Sequence, residues 1–224
     1  MVYTIIKLFF PIIEKLFIKK ISGAENIPSY GPFILAANHQ SHLDGFLIAG
    51  YVVKKTDQPV HFLAKREFTS YFGSGIENLV YKKWAHCILV EKEGTKAKGK
   101  LAIAEAAATL EDDGIVGIFP EGTRTYDGSL QEGRTGVVRI VLEAQKHLKR
   151  NIQIIPVGIQ GANIMLPREK IIPRAWKSQV TIKVGKPFYM KTTQKKKMTK
   201  ALLRKQTTVI MKKIAQCAGE RYAP

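Results

Sequence analysis

Phe33-Ile34-Leu35-Ala36-Ala37-Asn38-His39-Gln40-Ser41-His42-Leu43-Asp44 decides the fold. Its first five residues form a short apolar run closed by a polar cluster, the pattern of a buried strand that runs into a loop. Working outward, residues 60–64, 88–90, 115–119, 152–157 and 180–184 read as further strands. Between them, residues 46–53, the alanine-rich 96–110 and 136–148 read as helices, with Asp112-Asp113-Gly114 as a stop signal after the second. Strands alternating with helices predict a single-domain α/β sandwich, with a mixed, largely parallel sheet flanked by helices. No internal repeat and no linker divides the chain.

His39 stands where the first strand should end, and Asp44 follows five residues later. In open α/β sheets reactive groups gather where strands end and helices begin. An imidazole there, oriented by a carboxylate, is the equipment of a general base. Taken alone, the pair leaves other readings open. Asp44 could simply cap a helix. His39, His42 and Asp44 could hold a metal, although no other His or Cys cluster shows ligand spacing. A second stretch, Phe119-Pro120-Glu121-Gly122-Thr123-Arg124, closes another expected strand and adds acidic and basic groups of its own.

With 224 residues and 25.1 kDa the chain is long enough for one well-buried domain and short for two. Cys87 and Cys217 are far apart and lie in no partner motif, which argues against a disulfide framework and fits a reducing compartment. The N-terminus lacks a leading basic cluster and a small-residue cleavage site, so no secretory signal is expected. A net charge of +18 points to nucleic acid, an anionic membrane surface or anionic substrates. The basic residues sit in no aromatic ribonucleoprotein motif, zinc finger or basic zipper, which weakens the nucleic-acid reading.

Residues 1–20 are rich in Ile, Leu and Phe, with polar breaks every three to four residues, as on an amphipathic helix. A spanning helix needs about 20 mostly apolar residues; Lys7, Glu14 and Lys15 interrupt a shorter run here. We therefore expect a helix in the membrane interface, with Lys19 and Lys20 near the headgroups. Residues 21–190 form the expected core domain. Residues 191–224 read as a basic helix and tail whose apolar stripe either docks on the body or joins a membrane-facing surface.

The two loop motifs resemble those of the glycerolipid acyltransferase family, which includes the 1-acylglycerol-3-phosphate O-acyltransferases. Asn38-His39-Gln40-Ser41-His42-Leu43-Asp44 matches the family's Asn-His-x-x-x-x-Asp, and Phe119 to Arg124 matches its Phe-Pro-Glu-Gly-Thr-Arg. Ala64-Lys65-Arg66-Glu67-Phe68 and Ile155-Pro156-Val157-Gly158 resemble two further blocks, in the right order across residues 30–190. The resemblance implies transfer of a fatty acyl group from acyl-CoA or acyl-carrier protein to 1-acylglycerol 3-phosphate, giving phosphatidic acid. Glycerol 3-phosphate or another lysolipid is the alternative acceptor. It also implies a peripheral or monotopic protein on the cytoplasmic face of a membrane, whose partners are a lysophospholipid, the acyl donor and the anionic surface. That setting accounts for the charge without nucleic acid.

On this reading His39 is the base and Asp44 its orienter. No Gly-x-Ser-x-Gly elbow and no cysteine in a comparable setting occurs, which favours direct attack by the acceptor hydroxyl over a covalent acyl-enzyme. The Gly122 N–H is a candidate oxyanion donor. Glu121, Gly122, Thr123 and Arg124 fall in the acceptor site by resemblance. The Arg124 fork suits a phosphate, unless it serves as an ion-pair partner of Glu121. Lys65 is a candidate phosphate contact. So is Lys92, which stands where the family usually has arginine and so lacks the bidentate fork. No Walker loop or dinucleotide fingerprint is present, and the expected chemistry calls for no cofactor and no metal.

Overall fold

Every residue of β2 (Phe33–Ala37) is buried, so protein covers both faces of this strand, as its unbroken apolar sequence requires. In the computed structural model, which describes residues 2–65, 86–90, 96–148, 150–170, 172–174, 177, 179–190 and 199–222, β2 lies between β5 (Ile115–Ile118) and β6 (Gln153–Gln160), parallel to both. Beyond β5 come β3 (Val60–Lys65) and β4 (Ile88–Val90), again parallel. Beyond β6 come β7 (Val180–Val184), which is antiparallel to β6, and then β1 (Ile18–Ser22), parallel to β7. The two-residue β8 (Phe188–Tyr189) pairs with the start of β6. The order β1-β7-β6-β2-β5-β3-β4 is the mixed, largely parallel sheet that the sequence predicts.

The strand period of two sorts the core into two layers. Ile34 and Ala36 pack with Leu110 of α3 (Lys96–Glu111), Val141 of α4 (Gly136–His147) and Ile210 and Ile214 of α6 (Lys200–Ala218). Phe33, Leu35 and Ala37 join Leu47, Ile48 and Val52 of α2 (Asp44–Thr56) on the opposite face. The C-terminal helix thus docks on the body, with Leu203, Ile210, Met211 and Ile214 in the core. A short α5 (Ala162–Met165) follows β6.

This layering fixes where a site can form. β2 leads into α2 on one face, and β5 leads into α4 on the other. Chain segments leaving two adjacent parallel strands for opposite faces leave a crevice at the strands' carboxyl ends. The register pairs Ala36 with Ile118, so His39 and the 119–124 loop emerge side by side.

The N-terminal segment departs from expectation. The helix α1 (Val2–Phe17) stops at Phe17, and Ile18–Ser22 is the edge strand β1. Lys19 and Lys20 therefore sit on a strand rather than on an interfacial helix. Ile18 and Ile21 pack on the α2-side core while the two lysines are exposed. Pairing with β7 overrides the helical pattern, as tertiary context commonly does. The helix itself is clamped to α2: Phe10 is fully buried against Gly50, where a Cβ would stand 2.1 Å from its ring. Lys54 pairs with Glu14 at 3.1 Å and Lys7 with Asp57. The other flank of α1 shows Leu8, Phe9, Ile12 and Leu16 to the outside. Among the described residues no helix is long and apolar enough to cross a membrane.

Candidate active site

His39 follows β2 by two residues, and its Nδ1 lies 2.9 Å from Asp44 Oδ2. The same carboxylate oxygen accepts the backbone N–H groups of Gln40 and Ser41 at 2.6 and 2.7 Å. Asp44 is fully buried at the start of α2, and the cap position belongs to Leu43, so Asp44 is not the helix cap. Its carboxylate instead turns back to fasten the loop that carries the histidine. A carboxylate on Nδ1 holds the proton there and leaves Nε2 as the basic nitrogen. The His39 side chain keeps 20% of its surface accessible, enough for a reactant to reach it. Its ring stacks on Phe119 with centroids 4.0 Å apart, and Phe119 stacks on Phe62 at 5.3 Å.

Asn38, one residue earlier, extends the β2 ladder with its side chain. Its Nδ2 donates to the Ile159 carbonyl at 2.8 Å, and the Ile159 N–H donates to its Oδ1 at 2.7 Å. Gln40 bridges onward: its Oε1 accepts from the Ala162 N–H and its Nε2 donates to the Gly128 carbonyl. Sequence reasoning gave neither residue a role. Both are polar and almost wholly buried, a combination that ordinarily means a structural hydrogen bond.

Glu121 braces the two loops. One carboxylate oxygen accepts the His39 N–H at 2.8 Å, and the other accepts the Gln131 N–H at the same distance. The Thr125 N–H donates to the His39 carbonyl at 2.9 Å, adding a second tie. Gly122 sits at φ +63°, and its N–H donates back to the Phe119 carbonyl at 2.9 Å. That bond closes the turn and removes this N–H as the expected oxyanion donor.

Arg124 forms no ion pair with Glu121. It donates from Nη1 to the Arg168 carbonyl at 3.0 Å, and Arg168 returns the bond to the Arg124 carbonyl at 3.0 Å. Arg168 also lies over the Tyr126 ring, 4.1 Å from its centroid. Burial, and then Arg168, lowers the Arg124 pKa; Asp44 and Tyr126 oppose this. His42 reaches the surface, yet the protein packed around its ring, followed by Arg124, His39 and Arg168, pushes its pKa down to about 4. Cationic groups thus crowd together beside the catalytic candidate. Sequence reading missed Arg168, because a single arginine in a loop after α5 carries no periodic or motif signal. The backbone of Lys65 closes β3, but its side chain lies outside the described residues, as does Lys92.

Burial pushes the Glu121 pKa up to about 7, with the Gln131 and His39 N–H groups pulling it down and Glu220 and Asp44 pushing it further up. A carboxyl whose folded pKa is raised favours folding below its unfolded value, and that contribution is lost as pH rises through the folded value. Thermal unfolding should therefore find wild type most stable relative to Glu121→Gln near pH 4.5, with the gap shrinking towards pH 8. An amide at 121 also turns one N–H donor against a backbone N–H, so the variant should not surpass wild type at low pH. A stability difference that does not change between those pH values would show that burial does not raise the Glu121 pKa.

The sequence profile of the family described as Acyltransferase matches residues 19–160, well over half of the chain. The chain is 28% identical over 138 residues to mouse 1-acyl-sn-glycerol-3-phosphate acyltransferase alpha, covering 62% of this chain and 44% of that protein. It is 27% identical over 124 residues to the Bacillus subtilis 1-acyl-sn-glycerol-3-phosphate acyltransferase, covering 54% of this chain and 56% of that one. The chain thus spans about half the length of these curated relatives. The crystal structure of PlsC, the 1-acyl-sn-glycerophosphate acyltransferase of Thermotoga maritima, superposes with a TM-score of 0.68 over 99% of this chain and 81% of that one, at 24% identity, and shares its fold. On the profile match and on the His39–Asp44 pair that the fold assembles, the chain belongs to the acyltransferase family.

Proposed function

We propose that the protein transfers a fatty acyl group from a thioester to the free hydroxyl of 1-acylglycerol 3-phosphate, forming phosphatidic acid. The observation that carries this reading is the His39–Asp44 pair set beside the reciprocal Arg124–Arg168 pair. The first is a base for a hydroxyl, and the second is a concentrated positive site for the phosphate of the same acceptor. The relatives named for this reaction support the choice of acceptor.

A hydroxyl is a poor nucleophile at neutral pH and needs a base as it attacks. His39 Nε2 takes its proton while the oxygen adds to the thioester carbonyl carbon. Asp44 steadies the imidazolium that forms. Collapse of the tetrahedral intermediate breaks the carbon–sulfur bond, and the imidazolium returns the proton to the departing thiolate. The products are the ester and a thiol. The two guanidiniums hold the acceptor by a group that takes no part in the bond changes.

The N-terminal helix supports a membrane-bound setting. Leu8, Phe9, Ile12 and Leu16 form an outward apolar flank, and the chain carries +18 net charge. An apolar flank beside a basic body suits the interface of an anionic bilayer, the surface on which a lysophospholipid is presented.

His39→Ala should lower turnover by roughly 10²- to 10⁴-fold on a panel of 1-acylglycerol 3-phosphate, glycerol 3-phosphate and other lysolipids, with thermal unfolding little changed. Near wild-type turnover would overturn the mechanism. Arg124→Lys and Arg168→Lys should each raise the KM for the phosphate-bearing acceptor, by roughly 10-fold or more, and leave the KM for the thioester almost unchanged. Equal effects on both substrates would assign the pair to holding the loops. Replacing Leu8, Phe9, Ile12 and Leu16 together by Ser should reduce sedimentation with phosphatidylglycerol-containing vesicles. Undiminished sedimentation would place the membrane contact on another surface.

A further inference from the structure

A cleft of about 310 Å³ opens beside the catalytic loops, and its walls include neither Arg124 nor Arg168. Glu121 and Thr123 form one side, Gln131 and Glu132 another, and Arg134 and Arg204 reach in from different elements. Arg134 immediately precedes the α4 cap. Its backbone N–H donates to the Pro120 carbonyl at 2.8 Å. Its side chain crosses Gly122 so closely that a Cβ there would meet Arg134 Cδ and Nε at 3.1 Å. Arg204 comes from α6 and donates from Nη1 to Glu132 at 2.7 Å and to the Gly133 carbonyl at 3.2 Å.

The charges of this cleft are unequally matched. Glu132 is engaged by Arg204. Glu121 is buried, and both its oxygens are occupied by backbone N–H groups. No described carboxylate pairs with the Arg134 guanidinium, which remains exposed. The adjoining helix α4 has no acidic residue in its first turn and no side-chain bond from its cap, Thr135. Its N-terminal partial charge adds to that of the two arginines. The cleft also shares a wall with the reaction centre, because the carboxylate that lines it accepts the His39 N–H.

Acyl transfer from a pantetheine thioester to a glycerol phosphate brings two phosphate-bearing molecules to one histidine. The Arg124–Arg168 pair can serve one of them. In the other, the phosphate sits at the far end of an extended pantetheine arm from the reacting carbonyl, so it needs a separate basic recess within reach of the same loop. We propose that the cleft between Arg134 and Arg204 binds the phosphate groups of the pantetheine-bearing acyl donor. This rests on the acyl-transfer reading and assigns each basic site to one substrate. Arg134 lies across Gly122, which places the recess next to the 119–124 loop, and the Arg134 side chain makes no described contact with His39. A side chain at 122 would displace that guanidinium as well as strain the turn.

The test measures initial rates for wild type, Arg134→Ala, Arg134→Lys and Arg204→Ala with three donors: palmitoyl-CoA, palmitoyl-carrier protein and palmitoyl-pantetheine, which has no phosphate. Arg134→Ala should raise the KM for palmitoyl-CoA by roughly 10- to 100-fold, the worth of a charge-assisted contact. It should leave both the acceptor KM and the use of palmitoyl-pantetheine unchanged, and Arg134→Lys should recover part of the loss. A rise with both CoA and carrier protein identifies the arm's phosphate; a rise with CoA alone identifies its nucleotide phosphates, and either result supports the site. An equal rise with palmitoyl-pantetheine, or no rise with any donor, overturns it. Arg204→Ala also removes the contact with Glu132, so where it fails to fold Arg134→Ala decides. Calorimetric titration with CoA itself keeps the two readings apart. If wild type transfers no acyl group to any acceptor yet binds CoA about 10-fold or more tightly than Arg134→Ala does, the function falls and the cleft stands. If the two bind CoA equally, the cleft proposal falls whatever the rates show.

Discussion

One buried carboxylate oxygen holds the centre of this molecule together. Asp44 Oδ2 accepts from His39 Nδ1 and from the N–H groups of Gln40 and Ser41. A fully buried charge is costly unless donors meet it; here three of them converge on Oδ2, while Oδ1 is buried with no hydrogen-bond partner among the described residues. The cost of burial thereby becomes a geometric constraint. The loop cannot relax without stripping donors from a charge that water does not reach, so the histidine inherits its position from the solvation of its partner. Removing the aspartate would leave two backbone donors unpaired as well as an unoriented imidazole.

Glu121 repeats the device on the neighbouring loop with a different result. Each of its oxygens accepts one backbone N–H, and no cation among the described residues forms an ion pair with it. Burial then pushes its pKa towards neutrality. The two acids therefore divide the labour. Asp44 faces the imidazole and supplies charge, while Glu121 faces backbone and supplies spacing between the ends of β2 and β5. The crevice at the switch point would otherwise have little to set its width, since the chain departs from it to opposite faces of the sheet.

Much of this was legible before any coordinates. Apolar runs bounded by turn residues marked the inner strands, because strands buried on both faces must be apolar throughout. The pair His39 and Asp44 could be read because both members lie in one short loop. Other features depend on distant parts of the chain. β1 was hidden in a helical pattern, since an edge strand draws its identity from the partner it pairs with. The bracing role of Glu121 needs the register between β2 and β5, and Arg168 needs the path taken after β6. The Gly122 N–H was a plausible oxyanion donor only until the turn that consumes it was visible. Spacing in sequence reports chemistry within a loop, whereas chemistry between loops is set by topology.

The distribution of positive charge follows the same logic. Arg124 and Arg168 approach each other through their backbone carbonyls, not through an intervening acid. Among the described residues each guanidinium then uses only part of its donor fork on hydrogen bonds. Two like charges held close are unfavourable, and burial adds to the strain on Arg124. A protein selected for stability alone would set a carboxylate against them, as Glu132 is set against Arg204. Among the described residues no carboxylate bridges the two guanidiniums, and the nearby Asp44 charge opposes their repulsion only in part. Under the proposed function, the acceptor's phosphate would relieve the repulsion that the fold tolerates, and its binding energy would be greatest where the unliganded site is least satisfied. The Asp44 charge beside the pair limits that repulsion without neutralising it, because its donors already engage it. The same buried carboxylate that holds the His39 imidazole therefore also lowers the cost of keeping the two guanidiniums side by side.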